Sequence, residues 1–422
     1  MEDLENLLER LKENDLLNTS YPLRVKDWDA FRVHKSLSFD DERELAFYIH
    51  IPFCKQLCSF CEYCRMPLPS AEIQKKYLRT IKSDIDRFIS RHKHISLYGF
   101  DIGGGTPTSL DESCFHLLMD IYDNTVNRLN RTADFEPSIE ATFQTLTINK
   151  IRRIAQSGIK RISLGVQTTD SKLLADYHRR NAQIEEMQHW MDVIHECGIE
   201  KINLDMMYGL DGQNEKSIKR DIAVLQMLHP EQITLYELRP NMIGHHSVDK
   251  FQLYNIYSTL WQSIHRMGYH GRFGPNTFSL DRNDFGMSSY LRHRMLDGKA
   301  YKGFGISAQS MSKHGLSYNI GKLSKNPSIY LNRDSFPEEY TYKLSTKERL
   351  AKFISISAYS GSLSLQGLSK IIGFDAGSLF RKEIQFALCE GLFTKEDNTL
   401  YITRKGFKYY GAIFALFYNV VD

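Results

Sequence analysis

The sequence lacks any apolar run near the roughly 18 to 20 residues that a membrane-spanning helix requires. Its first segment, MEDLENLLERLKEND, is acidic and lacks the basic and apolar regions of a signal peptide. Internal repeats and low-complexity tracts are also absent. These absences predict a cytoplasmic protein without a membrane partner, in which 422 residues form one large domain and a smaller one.

The sequence also lacks a strong excess of charge of either sign. It contains 54 Lys and Arg residues against 51 Asp and Glu residues, and its formal net charge is +3. Such a balance produces no field that would attract nucleic acid or anionic lipid. We therefore predict no nucleic-acid partner.

Cysteine is scarce, and its distribution argues against a disulfide framework. Four of the seven cysteines lie between Cys54 and Cys64, whereas Cys114, Cys197 and Cys389 are scattered through helix-like sequence. A single dense group is typical of metal ligation in a reducing compartment.

Six β-rich runs between residues 45 and 240 alternate with longer segments of helical period. The runs are LAFYIHI, ISLYGFDIGG, SIEATFQ, IKRISLGVQ, IEKINLDMMYG and QITLYEL. This alternation predicts an α/β fold, a partial (β/α)6 TIM-like barrel in which all strands end at one rim. We expect the active-site groups on that rim.

The segments around this barrel core, residues 45–240, differ in character. Residues 1–44 predict a polar N-terminal arm, and residues 241–324 an extension of the barrel that begins with an amphipathic helix. Residues 325–342 contain Pro327 and Pro337 and predict a linker. Helix-like sequence followed by the strand pair around NTLYITRKG predicts a C-terminal winged-helix-like α+β module at 343–422. We expect this module to close over the barrel mouth and exclude water.

The cysteine group follows the first predicted strand in the segment YIHIPFCKQLCSFCEYC. Cys54, Cys58 and Cys61 have C-x3-C-x2-C spacing, so three thiolates can each bind one iron of a cubane and leave the fourth iron open. S-adenosylmethionine (SAM) can chelate such an iron and accept one electron from it. A structural zinc site is the alternative, but the second ligand pair that zinc usually needs is missing from the sequence. Cys64 would close the open iron, and we interpret it as a non-ligand.

This spacing, with Phe60 before the last cysteine and Tyr48-x-His50-Ile51-Pro52 before the first, resembles the oxygen-independent coproporphyrinogen III oxidase family of radical SAM proteins. The likeness extends from TSYP near residue 20 to the ending KGFKYYGAIFALFY. It implies a [4Fe-4S] cluster that cleaves SAM to a 5′-deoxyadenosyl radical for hydrogen abstraction. It also implies reduced flavodoxin or ferredoxin as the electron donor, and we expect a monomer.

The resemblance also implies which residues contact SAM. A glycine turn alone is weak evidence, but Gly103 to Thr108 (GGGTPT) matches the family's element at the same strand. The implied SAM contacts are Tyr48, Phe60, Gly104, Gly105, Thr106, Glu140, Gln167, Arg179 and Asp205. A second SAM is expected near YKGFGISAQSMS, with Gln309 at the matching position, although the segment upstream is shortened to LDGKAYKG. One SAM is therefore predicted beside the cluster, and a second is expected near Gln309.

Three functions remain open at this point, with a tetrapyrrole or a secondary metabolite as the small-molecule ligand. The first is oxidative decarboxylation of coproporphyrinogen III, which would require positive groups on the rim to hold carboxylates. The second is methyl transfer or cyclopropanation with a second SAM as carbon donor. The third is a haem chaperone without turnover, although SFCEYCRMP contains no histidine close to the third cysteine. We assign no role to His245 and His246.

Overall fold

A computed structural model describes residues 2–13, 29–238, 249–274 and 276–418 of the chain. The TSYP segment, His245 and His246 lie outside these ranges. The described part begins with helix α1, Glu2–Glu13. None of the helices in these ranges is long and apolar enough to cross a membrane.

Six parallel strands form the predicted partial barrel and are paired in chain order. They are β1 Glu44–Ile51, β2 Ser96–Gly104, β3 Asn130–Ala141, β4 Arg161–Gln167, β5 Lys201–Tyr208 and β6 Gln232–Glu237. A helical segment follows each strand: α2 Ala71–Arg91, α3 Glu112–Val126, α4 Ile148–Gln156, α5 Ser171–Asp176 with α6 Ile184–Glu196, α7 Glu215–Leu228, and α8 Lys250–Arg266. The fold class predicted from the alternation is confirmed.

The two faces of each barrel strand have different surroundings, because successive side chains of a strand point to opposite faces. In β1, Phe47 packs against Phe88 of α2 with ring centroids 5.7 Å apart. The next residue, Tyr48, lines a cavity on the other face. Helix α2 buries an apolar stripe that includes Tyr77, Ile81 and Ile85 at helical spacing. The outer face of the sheet therefore forms the core, and the inner face is left for a site.

The sheet continues beyond the barrel to a total of twelve strands within the described ranges. Strand β7, Thr277–Ser279, pairs antiparallel with β6, and β8, Tyr301–Phe304, pairs parallel with β1. Between them lie α9, Ser289–Arg292, and a π-helix, His293–Asp297. The outer strands are β9 Gln309–Ser312, β10 Gly315–Asn319, β11 Glu338–Lys343 and the short edge strand Arg32–Val33.

Two expectations about the flanking segments need correction. Residues 325–342 are not a linker throughout, because most of β11 lies within them and pairs with β10. Pro337 precedes this strand, so the proline removes no hydrogen bond from the ladder. Tyr342 is buried in a tyrosine-rich cluster, and Lys302 forms an ion pair of 2.5 Å with Glu338. The N-terminal arm also contributes a strand, Arg32–Val33, to the sheet edge.

The C-terminal module contains the helices and the small β-sheet that were predicted for a winged-helix-like module. Its elements are α10 Thr346–Ser357, β12 Ser362–Ser364, α11 Leu365–Ile372, α12 Ala376–Leu379, α13 Arg381–Cys389, β13 Phe393–Glu396, β14 Thr399–Ile402, α14 Arg404–Phe407 and α15 Tyr410–Ala415. The three strands form a separate sheet in the order β12-β14-β13. Helix α1 packs against α13 and α15 and buries Leu7 and Leu11.

Candidate functional site

The cysteine loop leaves the end of β1 and is closed by hydrogen bonds at its base. Phe53–Cys54 and Met66–Pro67 form a short parallel pair. The Met66 N–H donates to the Pro52 carbonyl at 2.8 Å, and the Leu68 N–H donates to the Cys54 carbonyl at 3.2 Å. The loop that carries Cys54, Cys58, Cys61 and Cys64 is therefore anchored at the strand-end rim of the barrel.

The glycine turn at the end of β2 packs directly on this loop. The Gly105 N–H donates to the Ile51 carbonyl at 2.7 Å, and the Thr106 N–H donates to the Phe53 carbonyl at 2.9 Å. Gly104 has a φ of +112°, and a Cβ there would clash with the His50 ring. Its N–H donates to Glu140 Oε2 at 3.0 Å. The turn thus needs glycine, and it joins the cysteine loop to the carboxylate of β3.

Hydrogen-bond donors and the cations Arg179 and Arg65 lie near the cysteine thiols. Thr106 Oγ1 donates to Cys54 Sγ at 3.8 Å, and Arg179 Nη1 donates to Cys58 Sγ at 3.6 Å. Burial raises the pKa of Cys54 to about 12 and also raises the pKa of Cys61. A bound cation would favour thiolates at these positions.

The donor set fits a cluster better than a single metal ion. The three cysteines are close enough for Cys58 and Cys61 to raise the pKa of Cys54 electrostatically. Within the described ranges, however, no three His, Cys, Asp or Glu side chains converge on a point that one metal ion could occupy. A cubane takes one thiolate on each of three separate irons, so its ligands need not converge on one point.

A cavity of about 510 Å³ opens on the inner face of the barrel. Three carboxylates from barrel strands line it: Asp101 of β2, Glu140 of β3 and Asp205 of β5. We call these three residues the acidic patch. Strand register brings them together, because Asp101 pairs with Ser138, Glu140 with Ser163, and Gly165 with Asp205.

Arg161 compensates the acidic patch. The side chain is buried and donates to Gln232 Oε1 and to Ser138 Oγ, both at 2.8 Å. Burial raises the pKa of Glu140 to about 7 and of Asp101 to about 7, and it also raises the pKa of Asp205. Arg161 opposes all three increases electrostatically.

Hydrogen bonds hold the carboxylates in place. Ser163 Oγ donates to Asp205 Oδ2 at 3.0 Å, and Asn203 Nδ2 donates to Asp205 Oδ1 at 2.8 Å. Ser288 Oγ donates to Asp101 Oδ2 at 2.6 Å. Asp101 Oδ1 is buried and has no hydrogen-bond partner in the part of the chain that the structure describes. An acceptor is therefore left for a ligand.

Cations line another part of the same cavity. They are Arg294 of the π-helix, Lys322 after β10 and Lys352 of α10. We call them the basic patch. Lys352, Ile356 and Tyr359 bring the C-terminal module into the cavity wall.

Residues 48–225 match the radical SAM superfamily. This range contains the cysteine loop, the glycine turn and the acidic patch. This stretch of the chain is therefore a radical SAM domain. The resemblance inferred from the cysteine spacing and the flanking residues is confirmed.

Relatives of this chain carry two kinds of name. The heme chaperone HemW of Bacillus subtilis is 25% identical over 371 residues, which are 85% of this chain and 95% of that protein. The anaerobic coproporphyrinogen III oxidase 1 of Cereibacter sphaeroides is 23% identical over 325 residues, 71% of this chain and 70% of that protein. The solved structure of coproporphyrinogen III oxidase (HemN) from Escherichia coli matches with a TM-score of 0.73 at 19% identity. The match covers 90% of this chain and 91% of that one, and it shows that the fold is shared.

The residues predicted to contact SAM occupy three places in this radical SAM fold. Tyr48, Glu140, Asp205 and Gln309 line the cavity. Gly104, Gly105 and Thr106 form the turn beside the cysteine loop.

The remaining predicted contacts lie outside the cavity lining. Arg179 contacts Cys58, and Gln167 lies near Arg179 at the end of β4. Gln167 has a φ of 66°, and its Oε1 is buried with no hydrogen-bond partner among the residues that the structure describes. Phe60 packs against Tyr177, with ring centroids 5.9 Å apart.

Several cavity residues escaped the sequence analysis, namely Asp101, Arg161, Arg294, Lys322 and Lys352. For Arg161 a signal was present. Polar residues alternate with apolar ones in Arg161-Ile162-Ser163 and in Asn203-Leu204-Asp205. A parallel strand covered by apolar neighbours on both faces would be apolar throughout. The alternation therefore indicates a polar inner face.

Proposed function

We propose that this radical SAM protein binds a [4Fe-4S] cluster through Cys54, Cys58 and Cys61 and binds SAM beside it. When bound, the cluster supplies the electron that cleaves SAM to methionine and a 5′-deoxyadenosyl radical. The observation that carries the proposal is the glycine turn, which joins the cysteine loop to Glu140 at the mouth of the 510 Å³ cavity. Cluster ligands, SAM contacts and substrate space thus adjoin one another.

The chain's own groups suit the parts of SAM. Glu140 and Asp205 accept hydrogen bonds from the ammonium group and the ribose hydroxyls, and both are already held by neighbouring donors. Arg179 offers a guanidinium beside the cysteine loop for the SAM carboxylate. The C-terminal module, through Lys352, Ile356 and Tyr359, encloses the cavity and excludes water from the reaction.

Replacement of single cysteines tests this proposal. The protein would be reconstituted anaerobically with iron and sulfide and incubated with dithionite and SAM. We expect Cys58→Ala to lose the absorbance at about 400 nm that is typical of such clusters. It should also form no 5′-deoxyadenosine. Cys64→Ala is the matched control from the same loop and should retain both.

Metal analysis and mass spectrometry of the nucleosides provide the readouts. Retention of the cluster and of SAM cleavage in Cys58→Ala would contradict the ligand assignment. Zinc in place of iron and sulfide in anaerobically purified protein would contradict the whole proposal.

For the substrate, we propose a tetrapyrrole of the coproporphyrinogen type, which undergoes oxidative decarboxylation. The basic patch supports this assignment, because such a substrate carries propionate arms and needs cations to hold them. Incubation of the reduced holoenzyme with SAM and coproporphyrinogen III, followed by mass analysis, should show loss of carbon dioxide and 5′-deoxyadenosine formed with it. A substrate that returns unchanged while SAM is cleaved would reject the decarboxylase assignment.

A haem chaperone is the second candidate. It is favoured by the Bacillus subtilis HemW match, which spans 95% of that protein. Under this alternative, the holoprotein binds haem with stable spectral change and produces no decarboxylated porphyrin. Haem titration monitored by absorbance, run beside the coproporphyrinogen assay on the same preparation, separates the two functions.

A further inference from the structure

The basic patch is assembled from three separate elements after the barrel. Arg294 comes from the π-helix, Lys322 from the segment after β10 and Lys352 from α10 of the C-terminal module. Lys352 is buried, and its pKa is lowered to about 7, first by burial and then by Arg294 and Lys322. Three cations thus face one cavity, and two of them disfavour the charged form of Lys352.

Neutral groups surround the guanidinium of Arg294. Its Nη1 donates to Tyr290 Oη and its Nη2 to Gln309 Oε1, both at 3.0 Å, and it lies 4.6 Å from the centre of the Tyr301 ring. The buried Nε has no hydrogen-bond partner, and no carboxylate forms an ion pair with Arg294 among the residues that the structure describes. A partly buried charge held this way is costly unless an anion joins it.

Gln309 has little capacity left for a ligand. Its Oε1 accepts from Arg294 and Tyr301, which uses both lone pairs. Its Nε2 donates to Tyr318 Oη at 2.5 Å. The residue expected to contact a second SAM is therefore engaged in holding the basic patch.

We propose that the basic patch binds a carboxylate arm of the substrate, with Arg294 and Lys352 as its main anchors, and that no second SAM occupies this place. The proposal rests on the proposed function, since it assigns part of the same cavity. A carboxylate satisfies the guanidinium edge and relieves the repulsion between the cations. The sulfonium and ammonium groups of SAM would add positive charge to that repulsion.

SAM also carries a carboxylate, so the test must distinguish a tetrapyrrole from a second SAM as the occupant of the basic patch. We would use the anaerobically reconstituted holoenzyme and coproporphyrin III, an unreactive tetrapyrrole with the same propionate arms, as the probe. Binding is measured by fluorescence quenching for the wild type, Arg294→Gln and Lys352→Gln. The surface variants Arg266→Gln and Lys313→Gln remove the same charges from exposed positions and serve as controls.

We expect each basic-patch variant to weaken coproporphyrin III binding about tenfold or more, as truncation of one partner of a charge pair does. The controls should bind as the wild type does, and the tetramethyl ester of the probe should bind weakly to every variant. Equilibrium dialysis with labelled SAM should show one equivalent per chain in both the wild type and Arg294→Gln.

Two results would overturn the proposal. One is coproporphyrin III affinity that is absent in the wild type or unchanged in both basic-patch variants. The other is a second equivalent of SAM in the wild type that Arg294→Gln loses. Iron content and basal SAM cleavage are measured on the same samples, so failure of the proposed function appears separately as loss of these two properties in the wild type.

Discussion

The acidic patch and the basic patch line one cavity but hold their charges differently. Asp101, Glu140 and Asp205 stand on barrel strands around Arg161, and serine, asparagine and glycine donors bind them. The basic patch stands on elements after the barrel, and Arg294 there is bonded only to neutral groups within the described ranges. The barrel thus supplies carboxylates that a buried cation and neighbouring donors hold, with one acceptor of Asp101 left for a ligand, whereas the later elements supply cations that an anion completes.

Among the substitutions that test this comparison, removal of Arg161 is expected to have the largest effect on the free energy of unfolding. Arg161→Leu leaves three buried carboxylates without their cation and two hydrogen bonds unmade, at a cost of about 3 kcal/mol in the free energy of unfolding at pH 8. The loss should shrink below pH 7, because Glu140 and Asp101 have pKa values of about 7 and become neutral there. Chemical denaturation at several pH values measures it.

The neighbouring Lys160→Leu is the matched control. Lys160 forms an exposed ion pair of 2.6 Å with Glu200. Its removal should change the free energy of unfolding by less than about 1 kcal/mol. Equal losses in the two variants would show that Arg161 does not compensate the acidic patch.

Replacement of Glu140 tests whether the acidic patch serves SAM. Glu140→Gln keeps the shape of the side chain but removes the charge, so we expect SAM affinity to fall about tenfold or more with iron content unchanged. In the wild type, affinity should rise from pH 6 to pH 8 as the carboxyl group, with its pKa of about 7, loses its proton. Equilibrium dialysis of labelled SAM measures both effects.

Glu140→Gln and Arg294→Gln together test whether the acidic patch and the basic patch have separate roles. Glu140→Gln should lose most of the pH dependence, and Arg294→Gln should keep the affinity and pH profile of the wild type. If SAM affinity fell as much in Arg294→Gln as in Glu140→Gln, the two patches would not have separate roles in SAM binding.

The smallest expected effect is an increase in the free energy of unfolding, when Lys352 is replaced. The pKa of Lys352 is about 7 in the folded protein, below its ordinary value near 10.5, so the unfolded chain binds more protons between these values. Folding therefore carries its full penalty below pH 7, and stability rises as the pH increases above 7. We expect Lys352→Met to raise the free energy of unfolding by about 1 kcal/mol at pH 6 and by less at pH 9, measured by denaturation of the ligand-free protein.

A loss of stability at pH 6 would contradict this view of the basic patch. Lys313→Met is the control, because Lys313 is exposed and pairs with Asp41 at 3.0 Å on the surface. It should be close to neutral at both pH values.

Much of the barrel could be predicted from local pattern. The run LAFYIHI covers residues 45–51, and the observed strand is Glu44–Ile51. Hydrophobic runs and helical periods depend on neighbouring residues, so one sequence suffices to detect them. The alternating polar residues of β4 and β5 carried equally local information about the cavity, but Arg161 could not be assigned to Asp205 before the strand register was known.

The segments outside the barrel were harder to predict. Strand β11 lies in a polar segment with prolines. It pairs with β10, which lies on the other side of the intervening segment, so the pairing forms only in the folded chain. The edge strand Arg32–Val33 covers only two residues of β11, so much of the outer side of β11 is free, and segments near a sheet edge have a composition that resembles that of a loop. The edge strand Arg32–Val33 and β11 therefore became visible only in the folded sheet.

The sequence by itself determined the cysteine spacing, the glycine turn and the alternation of the barrel, because each is set by residues a few positions apart. Only the tertiary structure brought Arg294, Lys322 and Lys352 to one cavity wall and showed that Gln309 is already engaged. Charges from distant segments interact through space, and their distances depend on the packing of the whole chain. The residues of the proposed cluster and SAM site were therefore readable from the sequence, whereas the proposed substrate surface was not.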